Sequence, residues 1–169
     1  GLDYQIEMVR APEKICVDEM RLQEVLEQLL DNAVKFTERG QICLRVSTHE
    51  DKVIFEISDT GPGISAEAEM RLYEPYSKTL VKDGQLRRGV GLGLTLVKAL
   101  CDLMNGRVDY VTSAGRGTTF RVELPLIYTD ESKTLTEKET KKIFQEFKKD
   151  VDLFNSGHQV TGLKLANTL

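Results

Sequence analysis

The chain reads as an α+β protein, a two-layer sandwich of one mixed sheet with helices on one face. Three observations predict it. Leu22, Val25, Leu26, Leu29, Ala33 and Phe36 recur at helical spacing. Two pairs of apolar or alternating runs, 41–47 with 53–58 and 107–112 with 118–124, read as hairpins. The glycine-spaced stretch Gly89-Val90-Gly91-Leu92-Gly93-Leu94 opens directly into a second apolar, helix-patterned run that reaches Met104.

In order, residues 4–9 and 14–17 read as short strands separated by Pro12. Asp18 has the chemistry of an N-cap for the first long helix, and Gly40 is expected to end it. His49-Glu50-Asp51-Lys52 reads as the turn of the first hairpin, and Asp59-Thr60-Gly61-Pro62-Gly63 as a loop. Ser65 followed by Glu67 and Glu69 starts a short helix reaching about Tyr73, and residues 75–90 form a polar, basic segment without periodicity. Asn105-Gly106 closes the second long helix, residues 113–117 turn the second hairpin, and Pro125 ends it.

With 169 residues the prior is one domain with an appendage, and 40% hydrophobic content supplies a core. The 23 basic and 27 acidic residues give a net charge of −4, which disfavours nucleic acid or an anionic membrane as partner. No apolar run approaches the ~20 residues of a membrane span. Cys16, Cys43 and Cys101 are far apart in apolar surroundings, which points to buried thiols in a reducing compartment. His49 and His158 are the only histidines, too few for a histidine-rich metal site.

Four groups of residues have a chemical reading beside an ordinary structural one, which is in turn a solvated helix face, an Asp-Gly turn, a solvated loop and a tight strand-to-helix turn. Gln28, Asn32 and Lys35 share one stripe of the first helix. Asn32 offers a hard amide oxygen to a magnesium ion, and Lys35 a point charge to a phosphate. Asp59, at a strand end, is an acceptor suited to an exocyclic amine such as that of adenine, and the glycines after it let backbone approach a flat base. Lys78, Lys82, Arg87 and Arg88 form a basic loop with the character of a lid. Gly89, Gly91 and Gly93 place bare backbone N–H groups before a helix start, where an anion is favoured. That stretch has no Lys-Ser/Thr after a glycine, as a P-loop would, and its third glycine is not in the dinucleotide-fold spacing.

Taken in order, these motifs resemble the catalytic ATP-binding domain of sensor histidine kinases. Their superfamily also holds gyrase-type topoisomerases, mismatch-repair ATPases and a heat-shock chaperone. The resemblance covers about residues 3 to 126. It rests on Arg21-Leu22 running into Gln28-Leu29-Leu30-Asp31-Asn32-Ala33-Val34-Lys35-Phe36-Thr37, the asparagine box, and on Asp59 to Ile64, the first glycine box. Leu72-Tyr73-Glu74-Pro75-Tyr76 stands as a phenylalanine box, Gly89 to Leu94 as the second glycine box, and Gly115 to Pro125 as the closing strand. The resemblance implies a Bergerat-type fold with ATP and magnesium as cofactors. It implies that Asn32 holds the magnesium, Lys35 a phosphate, and Asp59 the adenine amino group, with Gly61, Gly63 and Ile64 shaping the base pocket. Gly89, Gly91 and Gly93, with Leu92 and Leu94 between and after them, would hinge the lid and cradle phosphates. Arg87 or Arg88 would reach the γ-phosphate. Lys78 and Tyr73 would also belong to the nucleotide site, and Thr118 or Thr119 would support the adenine. The implied reaction is γ-phosphoryl transfer to a histidine on a separate dimerisation domain, which then serves the receiver domain of a response regulator. A non-catalytic ATP-sensing or scaffolding module with the same fold is the competing reading. The expected location is the cytoplasm, with the full-length protein either soluble or membrane-anchored.

Two features depart from the pattern. The ATP-hydrolysing branches carry a glutamate at position 28; Gln28 cannot take a proton from water, so negligible ATPase turnover is expected. Neither His49 nor His158 has the setting of a phosphoacceptor, so the chain is expected to be the catalytic fragment of a longer kinase. Residues 127–169 lie beyond the usual domain. Thr136 with Glu139 makes a capping box, and Ile143, Phe147, Val151 and Phe154 form a helical stripe. The tail reads either as that amphipathic helix or as a degenerate partial repeat. In the repeat alignment Asp130 falls on Asp59 and Gly162-Leu163 on Gly91-Leu92, while Ser132, Thr134 and Lys164 replace glycines.

Overall fold

The computed structural model describes residues 1–11, 14–73, 93–126 and 134–136. The elements run β1 (Leu2–Val9), β2 (Lys14–Cys16), α1 (Glu19–Phe36), β3 (Gly40–His49), β4 (Lys52–Asp59), α2 (Ala66–Glu69), α3 (Gly93–Leu103), β5 (Arg107–Ser113), β6 (Gly117–Pro125) and β7 (Thr134–Thr136). Five strands form one sheet in the order β1-β3-β4-β6-β5. β1 and β3 are parallel because α1 carries the chain back between them, whereas the β3–β4 and β5–β6 hairpins and the β4–β6 pairing are antiparallel. The expected mixed sheet is therefore present.

Register puts the apolar residues on one face. Ile6, Leu44, Ile57, Phe120 and Tyr110 form one cross-strand row, and Met8, Val46, Phe55, Val122 and Val108 the next. Both rows join Val25, Leu26, Leu29 and Ala33 of α1 and Val97 and Cys101 of α3 in a single core. Phe55 and Leu29 are fully buried, and truncating such a residue to alanine typically costs ~3 kcal/mol. α1 packs on β4, α3 packs on β5, and the two helices pack on each other. The other face is polar: Arg45 pairs with Glu7 at 2.7 Å, and Glu123 lies within 3.3 Å of Lys52, Arg107 and Arg121.

The helix ends follow local chemistry. Asp18 caps α1 by accepting from the Arg21 N–H, and Ser65 caps α2 by accepting from the Ala68 N–H. α3 closes where Asn105 adopts a positive φ and the Gly106 N–H bonds the Cys101 carbonyl.

Some expectations need correction. α1 stops at Phe36 with Thr37 as its C-cap, and Gly40 instead opens β3. Asp59, read both as a strand end and as the first residue of a loop, is the last residue of β4, paired on both sides, so the loop begins after it. Only Cys101 is fully buried; Cys16 and Cys43 are half-buried, and Cys43 lies on the polar face, where strand alternation turns it away from the core. One tail segment, β7, pairs antiparallel with β2. The tail's expected helix and its repeat alignment lie otherwise outside the described residues.

Candidate nucleotide site

The site lies where the end of β4 and the start of β6 meet the C-terminal half of α1 and the start of α3. Asp59 pairs with Ile42 on one side and Thr118 on the other, so its side chain projects onto the helix-covered face. Burial pushes its carboxyl above the usual carboxylate range. Three donors work against that: the Gly61 N–H at 2.8 Å, the Thr118 N–H, and the Thr37 hydroxyl at 3.4 Å. Thr37 is 1% exposed, and it ties the end of α1 to the end of β4.

The 60–65 loop is laced to the β5–β6 turn. The Ile64 N–H donates to Thr112 Oγ1 at 2.8 Å, and the Gly115 N–H to the Pro62 carbonyl at 2.8 Å. Thr112 also meets Thr118 hydroxyl to hydroxyl at 3.1 Å. Two glycines make this lacing possible. Gly63 has φ +74°, and a Cβ there would run into the Ser113 carbonyl oxygen. A Cβ at Gly61 would lie 2.8 Å from Asp59 Oδ1 and 2.9 Å from Thr37 Oγ1.

On α1, Gln28, Asn32 and Lys35 are half-buried. Gln28 Nε2 donates to Glu24 Oε1 at 2.8 Å. Lys35 Nζ stands 5.3 Å over the Phe36 ring. Asp31, beside Asn32, has its carboxyl pushed up to about 6, first by burial and then by Glu27 and Glu24, with Lys35 opposing. Among the described residues no group of three or more His, Cys, Asp or Glu side chains is placed to hold a metal, so the hard amide oxygen of Asn32 is the kind of single protein ligand that a magnesium ion takes when it keeps water and phosphate oxygens. α3 begins at Gly93 directly against Gln28: a Cβ there would be 2.7 Å from Gln28 Oε1. Leu94 and Ile64 pack against the core.

The fold thus brings together Asp59, Gly61, Gly63, Ile64 and Thr118 as one group, and Gln28 with Gly93 as another. Thr119 does not join them. Strand alternation turns it to the opposite face, where its hydroxyl meets Ser58 at 2.9 Å. Tyr73 is half-buried; its ring packs on Tyr110, which packs on Phe120, and its carbonyl accepts from the Thr95 hydroxyl. Lys78, Lys82, Arg87, Arg88, Gly89, Gly91 and Leu92 lie outside the described residues. Sequence reasoning assigned no role to Glu24, Thr37 or Thr112. The signal for Thr112 was its alternation with Val108 and Tyr110, and the signal for Glu24 was its i,i+4 spacing from Gln28 on the predicted helix; Thr37 carries no such mark, because its partner Asp59 is set by tertiary contact.

The fold and the sequence have relatives among known proteins. A family model described as histidine kinase-, DNA gyrase B-, and HSP90-like ATPase matches residues 17–128. The circadian input-output histidine kinase CikA of Thermosynechococcus vestitus is 37% identical over 128 residues, covering 75% of this chain and 18% of that protein. The sensor histidine kinase RcsC of Escherichia coli is 38% identical over 109 residues, covering 64% of this chain and 12% of that protein. The chain thus spans less than a fifth of the length of these relatives. Among solved structures, full-length ShkA in complex with AMPPNP superposes with a TM-score of 0.64 at 34% identity, covering 76% of this chain and 26% of that one. The catalytic domain of histidine kinase ThkA gives a TM-score of 0.61 at 25% identity, covering 74% of this chain and 79% of that one.

Proposed function

The chain belongs to the histidine kinase-, DNA gyrase B- and HSP90-like ATPase family, and from that premise we propose that it binds Mg-ATP and transfers the γ-phosphoryl group to a histidine on a separate dimerisation domain. The observation that carries the reading is Asp59. Its carboxylate is half-buried at a strand end, held by Gly61, Thr118 and Thr37, beside a loop that only glycines can bring this close. Such an acceptor suits the adenine amino group. Gly61, Gly63 and Ile64 would form the base pocket, and Thr118, of the threonine pair, would support the base.

Asn32 would ligate the magnesium and Lys35 would meet a phosphate. The metal would neutralise charge on the transferring group. Gly93 and Leu94 would start the helix beneath the phosphates, with Gly89, Gly91 and Leu92 as the rest of the hinge. Lys78, Arg87 and Arg88 would supply lid charge. We assign Tyr73 to packing under this site. In the transfer the γ-phosphorus–oxygen bond to ADP breaks, a phosphorus–nitrogen bond to the imidazole forms, and the imidazole N–H proton is released. Gln28 cannot abstract a proton from water, so hydrolysis is not the chemistry.

We place residues 1–126 as the nucleotide-binding unit and 127–169 as an appendage. The partners would be the histidine-bearing domain of the same kinase and, through it, a response-regulator receiver domain. The reaction would take place in the cytoplasm, in keeping with an odd number of cysteines spaced far apart in the sequence. The test mixes the chain with Mg-ATP and a separately produced dimerisation domain. An acid-labile, base-stable phosphate on that domain, lost in Asp59→Asn, is expected. ATP binding with no transfer would replace the kinase reading with a sensing one.

A further inference from the structure

Gln28 sits between two neighbours with opposite demands. Its Nε2 donates to Glu24 Oε1 at 2.8 Å, and its Oε1 is the atom that faces Gly93. A carboxylate only accepts hydrogen bonds, so Glu24 takes the amino end of the amide. The carbonyl end is then left toward the first residue of α3. We infer that Glu24 is a positioning residue that sets which end of the Gln28 amide the site presents at the start of α3. The inference rests on the nucleotide reading above.

The choice has chemical consequences. An amide oxygen attracts a magnesium ion or an N–H and repels a phosphate oxygen; an NH2 group does the reverse. Asn32, one turn further along the same stripe, offers the same kind of oxygen. With its oxygen forward, Gln28 keeps the acceptor that a glutamate would offer here while lacking a glutamate's ability to take a proton. Glu24 is one helical turn before Gln28, so the selection is made within α1.

The experiment uses the full 169-residue chain. The side-chain NH2 signals of Gln28 are assigned by NMR from their loss in Gln28→Leu, and Mg-ATP affinity is measured by calorimetry. Glu24→Gln retains an acceptor and should keep both the hydrogen-bonded NH2 shifts and the affinity within about twofold. Glu24→Ala should release the NH2 signals and weaken Mg-ATP about tenfold, the scale of a lost hydrogen bond to a charged group. Glu24→Lys, whose ammonium only donates, should draw the carbonyl end toward itself and weaken binding further. In a Gln28→Leu background none of the three should add an effect. Unchanged NH2 signals in Glu24→Ala, or an equal loss of affinity in the Gln28→Leu background, would overturn the inference. If the unmodified chain bound no Mg-ATP, the nucleotide reading would fail, while the NH2 signals of the nucleotide-free chain would still decide the role of Glu24.

Discussion

Replacing Thr37 by valine removes one hydroxyl and almost no volume. Thr37 is 1% exposed and donates to Asp59 Oδ1 at 3.4 Å, so the change takes a donor from a carboxyl that burial already pushes above its usual range. Asp59 is not orphaned, because the Gly61 and Thr118 N–H groups stay. A hydrogen bond to a charged group is worth ~1.5–3 kcal/mol, and the length of this one puts it at or just below the low end, about 1 kcal/mol. The sign follows from Asp59. Its folded pKa is raised, so its ionisation costs stability above that pKa and costs nothing below the unfolded value. Losing Thr37 raises the pKa further, so the variant should lose about 1 kcal/mol at pH 7.5. It should lose roughly half that in acid, where a neutral carboxyl makes a weaker bond. Denaturant unfolding at the two pH values measures both. At neutral pH, ATP affinity should fall about fivefold, since 1.4 kcal/mol is tenfold. A purine triphosphate without the 6-amino group should bind the variant and the parent equally. If both nucleotides weaken together, Thr37 acts on the fold and the adenine-acceptor reasoning is refuted.

Asp31→Asn should stabilise the chain in a pH-dependent way. Its carboxyl rises from 3.8 to about 6, so the cost of charging it is absent below pH ~4, grows to pH ~6 and is complete above. At ~1.4 kcal/mol per pH unit this would be ~3 kcal/mol, which solvent screening of a partly exposed group cuts to about 1. A Tm gain at pH 7.5 that disappears at pH 4 is expected; an equal gain at both would trace the effect to something other than charge. A chain ending at Leu126 loses the β2–β7 pairing but keeps the five-stranded sheet and both long helices. It should stay folded, with a Tm a few degrees lower and unchanged ATP affinity; a chain that fails to fold would contradict placing residues 1–126 as the nucleotide-binding unit.

Much of this architecture was legible in the sequence because it is encoded locally. Helical periodicity from Leu22 to Phe36, alternation in four strands and cap chemistry at Asp18 and Ser65 each act within a few residues. The order of the motifs carried the family. The choice between Thr118 and Thr119 needed the register with Asp59, since a one-residue step in a strand reverses the face. The misplaced end of α1 has a similar cause: Gly40 looks like a helix stop, but the helix is stopped earlier at Thr37, whose hydroxyl is held by Asp59. Tyr73, in a motif of the resemblance, meets the ring of Tyr110 on a distant strand, a contact that no local pattern announces.

By itself, the sequence determined the fold class, the family and the identity of the chemical groups, because periodicity and residue type are properties of short segments. Only the tertiary structure decided how those groups are aimed. Burial of Asp59 against three donors, the lacing of its loop through Thr112, and the turning of the Gln28 amide toward Gly93 all depend on residues far apart in the chain or on a rotamer chosen by a neighbour. Distances and dielectric surroundings of that kind arise only once the sheet and helices have packed.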